Sequence, residues 1–237
     1  MEGARPAGPP LKARDPVREA AAAWAVVMLG LAALALVGRA VPAVHALLGA
    51  VAVAAFLYVP TRLLERRGQD VRDAGWRFDR LGADLRWSLG ACAVVLPLFG
   101  VAFYAFTGLL PHLSPELRDL LAPYGGAPHF RLRVPASWEF AGQLAGNAAV
   151  AFSEEFFYRG YMTLRFEERW GPVKSALLTA ALFAIGHLLT PAPWRLAVFF
   201  PALLFAFLRN RTRTIVGASL CHFLSNVWLL LLEHAAF

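Results

Sequence analysis

Long, nearly uninterrupted apolar blocks constrain this chain more than any other feature. Seven can be marked: Glu19–Gly38, Val44–Val59, Trp87–Leu110, Trp138–Tyr158, Val173–Leu189, Trp194–Leu208 and Ile215–Leu232. Roughly 20 apolar residues in helical form match the hydrocarbon thickness of a bilayer, and the shorter blocks imply tilt or partial spans. Lipid offers no hydrogen bonds to the backbone, so such blocks must be helices or barrel strands. Barrel strands alternate apolar and polar residues, and these blocks do not. Only 16% of the 237 residues are charged, against about a quarter in soluble domains. The fold class expected is therefore all-α, a polytopic transmembrane helical bundle of about seven spans.

The formal net charge of +7 would suit a nucleic-acid partner, but its distribution argues against one. The basic residues fill the gaps between apolar blocks, where they set topology. With the N-terminus in the cytoplasm, 18 of the 23 Lys and Arg residues fall on the inner side. Only Arg39, Arg118, Arg131, Arg133 and Arg195 fall outside. This places a multi-pass protein in the cell's inner (plasma) membrane, with the lipid bilayer as its first partner. Residues 1–18, rich in Pro, Gly and Arg, read as a disordered cytoplasmic tail, and residues 19–237 as the membrane domain. Cys92 and Cys221 both fall inside apolar blocks, so neither a disulfide framework nor a cysteine-rich metal site is expected.

Ionisable side chains inside spans are costly and are functional candidates by default. Glu154 and Glu155 sit together near the end of the fourth block. Glu155 precedes Arg159 by four residues, the favourable order for a helical ion pair. Glu154 points about a quarter-turn away and has no such partner on its own segment. His187 closes the run Phe183-Ala184-Ile185-Gly186-His187. His222 and Asn226, four apart, share a face of the last block. Each also has a plain structural reading: a helix-end cap for the acids, packing for His187, interhelical hydrogen bonding for His222 and Asn226. A Cys221–His222 thiol dyad is disfavoured, because adjacent helical residues diverge by roughly 100°.

Taken in order on successive polar-bearing helices, the patterns EExxxR, FxxxH and HxxxN resemble the motif set of the CPBP (CAAX protease and bacteriocin-processing, Abi/Rce-type) intramembrane proteases. The resemblance covers residues 138–232, the expected catalytic core. It implies an endopeptidase acting on a peptide or membrane-protein substrate, such as a leader peptide or a C-terminal sorting tail. It also implies roles: Glu154 as the base that activates water, His187 holding that water, and His222 with Asn226 donating to the oxyanion. Glu155 and Arg159 would support the site structurally. No cofactor is expected; the alternative is a zinc ion held by Glu154, His187 and His222. A non-catalytic membrane binding or immunity protein is the other reading. Oligomeric state is left open.

The groups can meet if Gly171-Pro172 turns the chain between the fourth and fifth blocks. Glu154 lies 17 residues before Gly171 and His187 lies 16 after it. Two antiparallel legs would bring both to one height, about 25 Å from the turn.

Overall fold

The computed structural model describes residues 15–121, 137–189 and 193–236. Among them all regular structure is helical. The helices are α1 (Pro16–Ala40), α2 (Pro42–Glu65), α3 (Leu81–Leu109), α4 (Pro115–Leu121), α5 (Trp138–Glu155), α6 (Thr163–Gly186), α7 (Phe199–Thr212) and α8 (Val216–Ala236). A π-helical stretch, Phe156–Met162, joins α5 to α6, and 3-10 turns occupy His187–Leu189 and Pro193–Val198. Every apolar block of the sequence is helical, and among the described residues five elements are long and apolar enough to cross a membrane. One of these, Trp138–Leu189, runs for 52 residues. It breaks at Gly171, whose φ of 70° and ψ of 175° are open to glycine and strained for other residues. The element is thus two legs, 138–170 and 172–189. The block at Trp194 begins as 3-10 turn and continues from Phe199 as α7, a 14-residue helix too short to span alone.

Helix α1 opens at Pro16, inside the expected tail, because Asp15 caps it by accepting from the backbone N–H groups of Val17 and Arg18. The rest of that tail, residues 1–14, lies outside the described residues. The first leg of the hairpin also outruns its apolar block. The run from Arg159 to Arg169 loses hydropathy but not helicity, and at 1.5 Å per residue the leg is about 50 Å long, so its charged end stands clear of the hydrocarbon.

The bundle is apolar outside as well as inside. Leu29, Leu36, Leu98, Val101 and Phe200 are all well exposed, as lipid-facing side chains are. One core packs Phe156, Phe157, Tyr158 and Tyr161 against Ala23, Val27 and Leu31 of α1 and Phe56 of α2. A smaller one joins Cys92 of α3, Phe205 and Leu208 of α7, and Cys221 of α8. The 66–80 loop reaches into the first core. A Cβ on Gly160 would sit 2.9 Å from the Ala74 carbonyl oxygen, so only glycine admits that approach.

The ends carrying most of the basic residues converge. Arg67 pairs with Glu19 at 3.1 Å, and Tyr161 donates to the same carboxylate at 3.0 Å. Arg165 pairs with Glu168 at 2.6 Å, and Arg209 with Glu167 at 2.5 Å. The buried Asp84 carboxylate, at the start of α3, accepts from Thr214 Oγ1 at 2.6 Å and locks the start of α8 in place. These contacts tie α1, α3, α6, α7 and α8 together at one membrane surface.

Candidate active site

The two legs meeting at Gly171 set the height of the site, and α8 completes it. Tyr158, on the first leg, packs its ring edge-on to Phe183 on the second, with centroids 5.1 Å apart. The expected antiparallel pairing of 154 with 187 is thus close to the one formed.

Glu155 is at the centre and fully buried. Its Oε1 accepts from Arg159 Nη1 at 3.0 Å and lies 2.9 Å from His222 Nδ1. Arg159, equally buried, donates from Nη2 to the Ala202 carbonyl of α7 at 3.0 Å. Its guanidinium lies 4.5 Å from the Phe183 ring centroid and 5.4 Å from that of Phe205, an arrangement that favours a cation. A charge pair this deep is tolerable only when its other donors and acceptors are occupied. The Ala202 carbonyl, the two ring faces and His222 do most of that, leaving Glu155 Oε2 and Arg159 Nε without partners among the described residues.

His222 is held on every side. It stacks on Phe205 at 4.7 Å and 15°, and meets the edge of Phe183 at 5.9 Å. With Nδ1 turned to Glu155, its Nε2 faces Glu154 at 3.7 Å. That gap exceeds a hydrogen bond, and suits two groups that share a small third partner. Glu154 is the open member of the acid pair, its side chain 15% exposed. A carboxylate without a proton can only accept, so Nδ1 carries the hydrogen toward Glu155, and Nε2 donates as well only in a doubly protonated ring.

His187 lies across Phe183, with ring centroids 4.6 Å apart. Its Nδ1 is 2.9 Å from the Phe183 carbonyl. A carbonyl can only accept, so Nδ1 carries the proton and Nε2 of the neutral ring is left as an acceptor. His187 and His222 thus flank one phenylalanine without touching. Asn226 sits one turn beyond His222 on α8, half-buried, and bonds to none of the other candidates.

The described residues contain no group of three His, Cys, Asp or Glu side chains arranged to hold a metal ion. Glu154 and His222 approach one another, but His187 stays behind Phe183. The zinc set considered from sequence does not converge in this structure. Cys221 turns away from His222: its Sγ lies 3.3 Å from Cys92 Sγ on α3.

Four parts of the site carried no usable signal in the sequence. Phe205 and the Ala202 carbonyl are one ring and one backbone group in an apolar helix. The bond from Glu155 to His222 joins residues 67 apart. The π-helical stretch, which begins at the residue after Glu155, was also unseen, although such stretches recur at functional sites.

Fold and site together define a polytopic helical membrane protein with a buried acid–arginine–histidine centre between hairpin legs and a closing helix. Residues 136–228, which hold every part of that centre, match the family described as type II CAAX prenyl endopeptidase Rce1-like, in keeping with the CPBP resemblance. No curated protein and no solved structure matches the chain.

Proposed function

We propose that this chain is an intramembrane endopeptidase that hydrolyses a peptide bond with water activated by Glu154. The observation that carries the reading is the division of labour between the adjacent acids. Glu155 is locked by Arg159 and His222, whereas Glu154 is partly open and faces the free nitrogen of His222.

Water held by Glu154 loses its proton to that carboxylate as its oxygen attacks the scissile carbonyl. The oxyanion that forms is met by His222 Nε2–H, with Asn226 able to add its amide by a rotamer change. Donors pre-placed in this way are commonly the largest single contribution to acyl-transfer catalysis. The tetrahedral intermediate then collapses, the C–N bond breaks, and Glu154 returns its proton to the departing amine. Glu155 sets the orientation of His222 and does not react.

The substrate is a peptide segment at or in the membrane. Two thirds of α5 supports this: from Trp138 to Ala149 it is largely exposed, with Gln143 and Asn147 on the face that ends at Glu154. A leader peptide or a C-terminal sorting tail fits that approach.

The test is Glu154→Gln, assayed by processing of membrane-anchored peptides in reconstituted vesicles. Loss of a general base lowers turnover by about 10²–10⁴-fold. The variant should keep its thermal midpoint, because Glu154 is the one acid not tied into the buried pair. Undiminished processing by Glu154→Gln would remove Glu154 as base. Absence of hydrolysis in the wild type across leader, tail and prenylated peptides would favour a binding protein instead.

A further inference from the structure

The surface where the basic helix ends converge contains a cavity of about 390 Å³. That lies within the range of small-ligand sites, about 300–1,000 Å³. It sits between the 66–80 loop, the charged end of the first hairpin leg and the end of α7. Four arginines line it, Arg72, Arg77, Arg209 and Arg213, against two acids, Asp73 and Glu167.

Both acids are already committed. Glu167 accepts from Arg209 at 2.5 Å and from Arg213 at 3.3 Å. Asp73 accepts from the backbone N–H of Asp70 at 2.9 Å. Of the other two arginines, Arg77 shares an ion pair with Asp79, and Arg72 has no acid partner for its side chain among the described residues. Among the described residues Arg72 bonds only through its backbone, to Asp70 and Gly75. Arg77 reaches the Arg213 carbonyl from Nη2 at 3.4 Å; its Nε is 3.4 Å from Asp79 but is buried without a hydrogen bond. Four arginines against Asp73, Glu167 and the adjoining Asp79 leave one positive charge over, and with guanidinium donors unspent this suits an oxygen-rich anion.

We propose that this cavity binds the phosphate of an anionic phospholipid headgroup. Phe78 and Leu81, beside Arg77, are 62% and 43% exposed, and a free anion has no use for them whereas a lipid's glycerol and acyl region does. Basic pockets between transmembrane helices at a membrane surface are the expected hosts for such headgroups. The site is coupled to the catalytic centre by two rigid elements. Glu167 belongs to the helical leg that carries Glu154 and Glu155, and Arg209 belongs to α7, whose Ala202 carbonyl holds Arg159. The inference stands on the membrane fold and is independent of proteolysis.

The experiment uses the full chain in a zwitterionic detergent, with thermal unfolding followed as phosphatidylglycerol, phosphatidylcholine or inorganic phosphate is titrated. The Arg72→Gln/Arg77→Gln variant is compared with wild type and with Arg66→Gln, an exposed arginine outside the cavity. Phosphatidylglycerol should protect wild type and Arg66→Gln at roughly tenfold lower concentration than phosphatidylcholine, and the double variant should lose that preference. Should the double variant fold poorly, Arg72→Gln alone, at an exposed side chain, should lose about threefold. Equal protection by both lipids, or an unchanged preference in the variants, would overturn the site. Protection by inorganic phosphate equal to that by phosphatidylglycerol would overturn the lipid as its source.

Discussion

Substituting Glu155 by Gln keeps the shape of the side chain and removes one charge from the centre of the site. Arg159, with no exposed surface, then loses its bonded carboxylate and keeps the Ala202 carbonyl and the ring faces of Tyr158, Phe183 and Phe205. Leaving one member of a buried pair unmatched costs about 3–5 kcal/mol. For a chain of this length each kcal/mol moves the thermal midpoint by about 2–4 °C, so Glu155→Gln should melt about 6–20 °C lower. Arg159→Met should cost less, since Glu155 retains His222 as a partner at 2.9 Å. The two changes together remove both charges at nearly constant volume, and neutral replacements of buried pairs are often tolerated. The double variant should therefore regain at least half of what Glu155→Gln loses. Tryptophan fluorescence melts of the detergent-purified proteins, at matched lipid content, measure all three. Simple addition of the two losses in the double variant would refute the pairing, and so would a wild-type midpoint for Glu155→Gln.

Purified protein should carry no stoichiometric zinc and keep its processing activity in strong chelators; about one zinc per chain, lost with activity and restored by metal, would replace the water-activation scheme with a metal-centred one. Cys221→Ala should process substrate like wild type, because the thiol faces Cys92 rather than the site; inactivation in a well-folded variant would revive a thiol role. Gly160→Ala should cost about 1–3 kcal/mol, read as a lower midpoint, because its new methyl would meet the Ala74 carbonyl at 2.9 Å. A wild-type melt there would mean that the 66–80 loop yields freely.

The membrane bundle was legible because hydrocarbon admits so few solutions: an apolar block of span length is a helix. The blocks erred where hydropathy and helicity part company. The first hairpin leg continues through Arg159–Arg169, since a helix leaving the bilayer becomes charged without ending. The turn at Gly171 was legible from its two residue types, and residue counting then placed Glu154 and His187 at one level. Motif spacing singled out Glu155 with Arg159 and His222 with Asn226 as pairs within a helix. It could not join them across helices. That His222 belongs to Glu155 as much as to Glu154 depends on how α8 packs against the first leg, and no local pattern encodes that rotation. Arg159's cage of rings was hidden for a similar reason: Phe205 is one of 18 phenylalanines, and only packing sets it apart.

The hairpin also works as a ruler. Residues 154 and 187 keep level only while the two legs grow in step from the Gly171 pivot, so one residue gained or lost on a single leg would slide one edge past the other and turn its face by about 100°. Added length at the pivot, outside the hydrocarbon, disturbs neither edge. Tolerance to insertion should therefore be sharply local, generous at the apex and absent along the legs. The wide π turns at Phe156–Met162 are then where the first leg already stores a surplus residue without passing the error upward to Glu154.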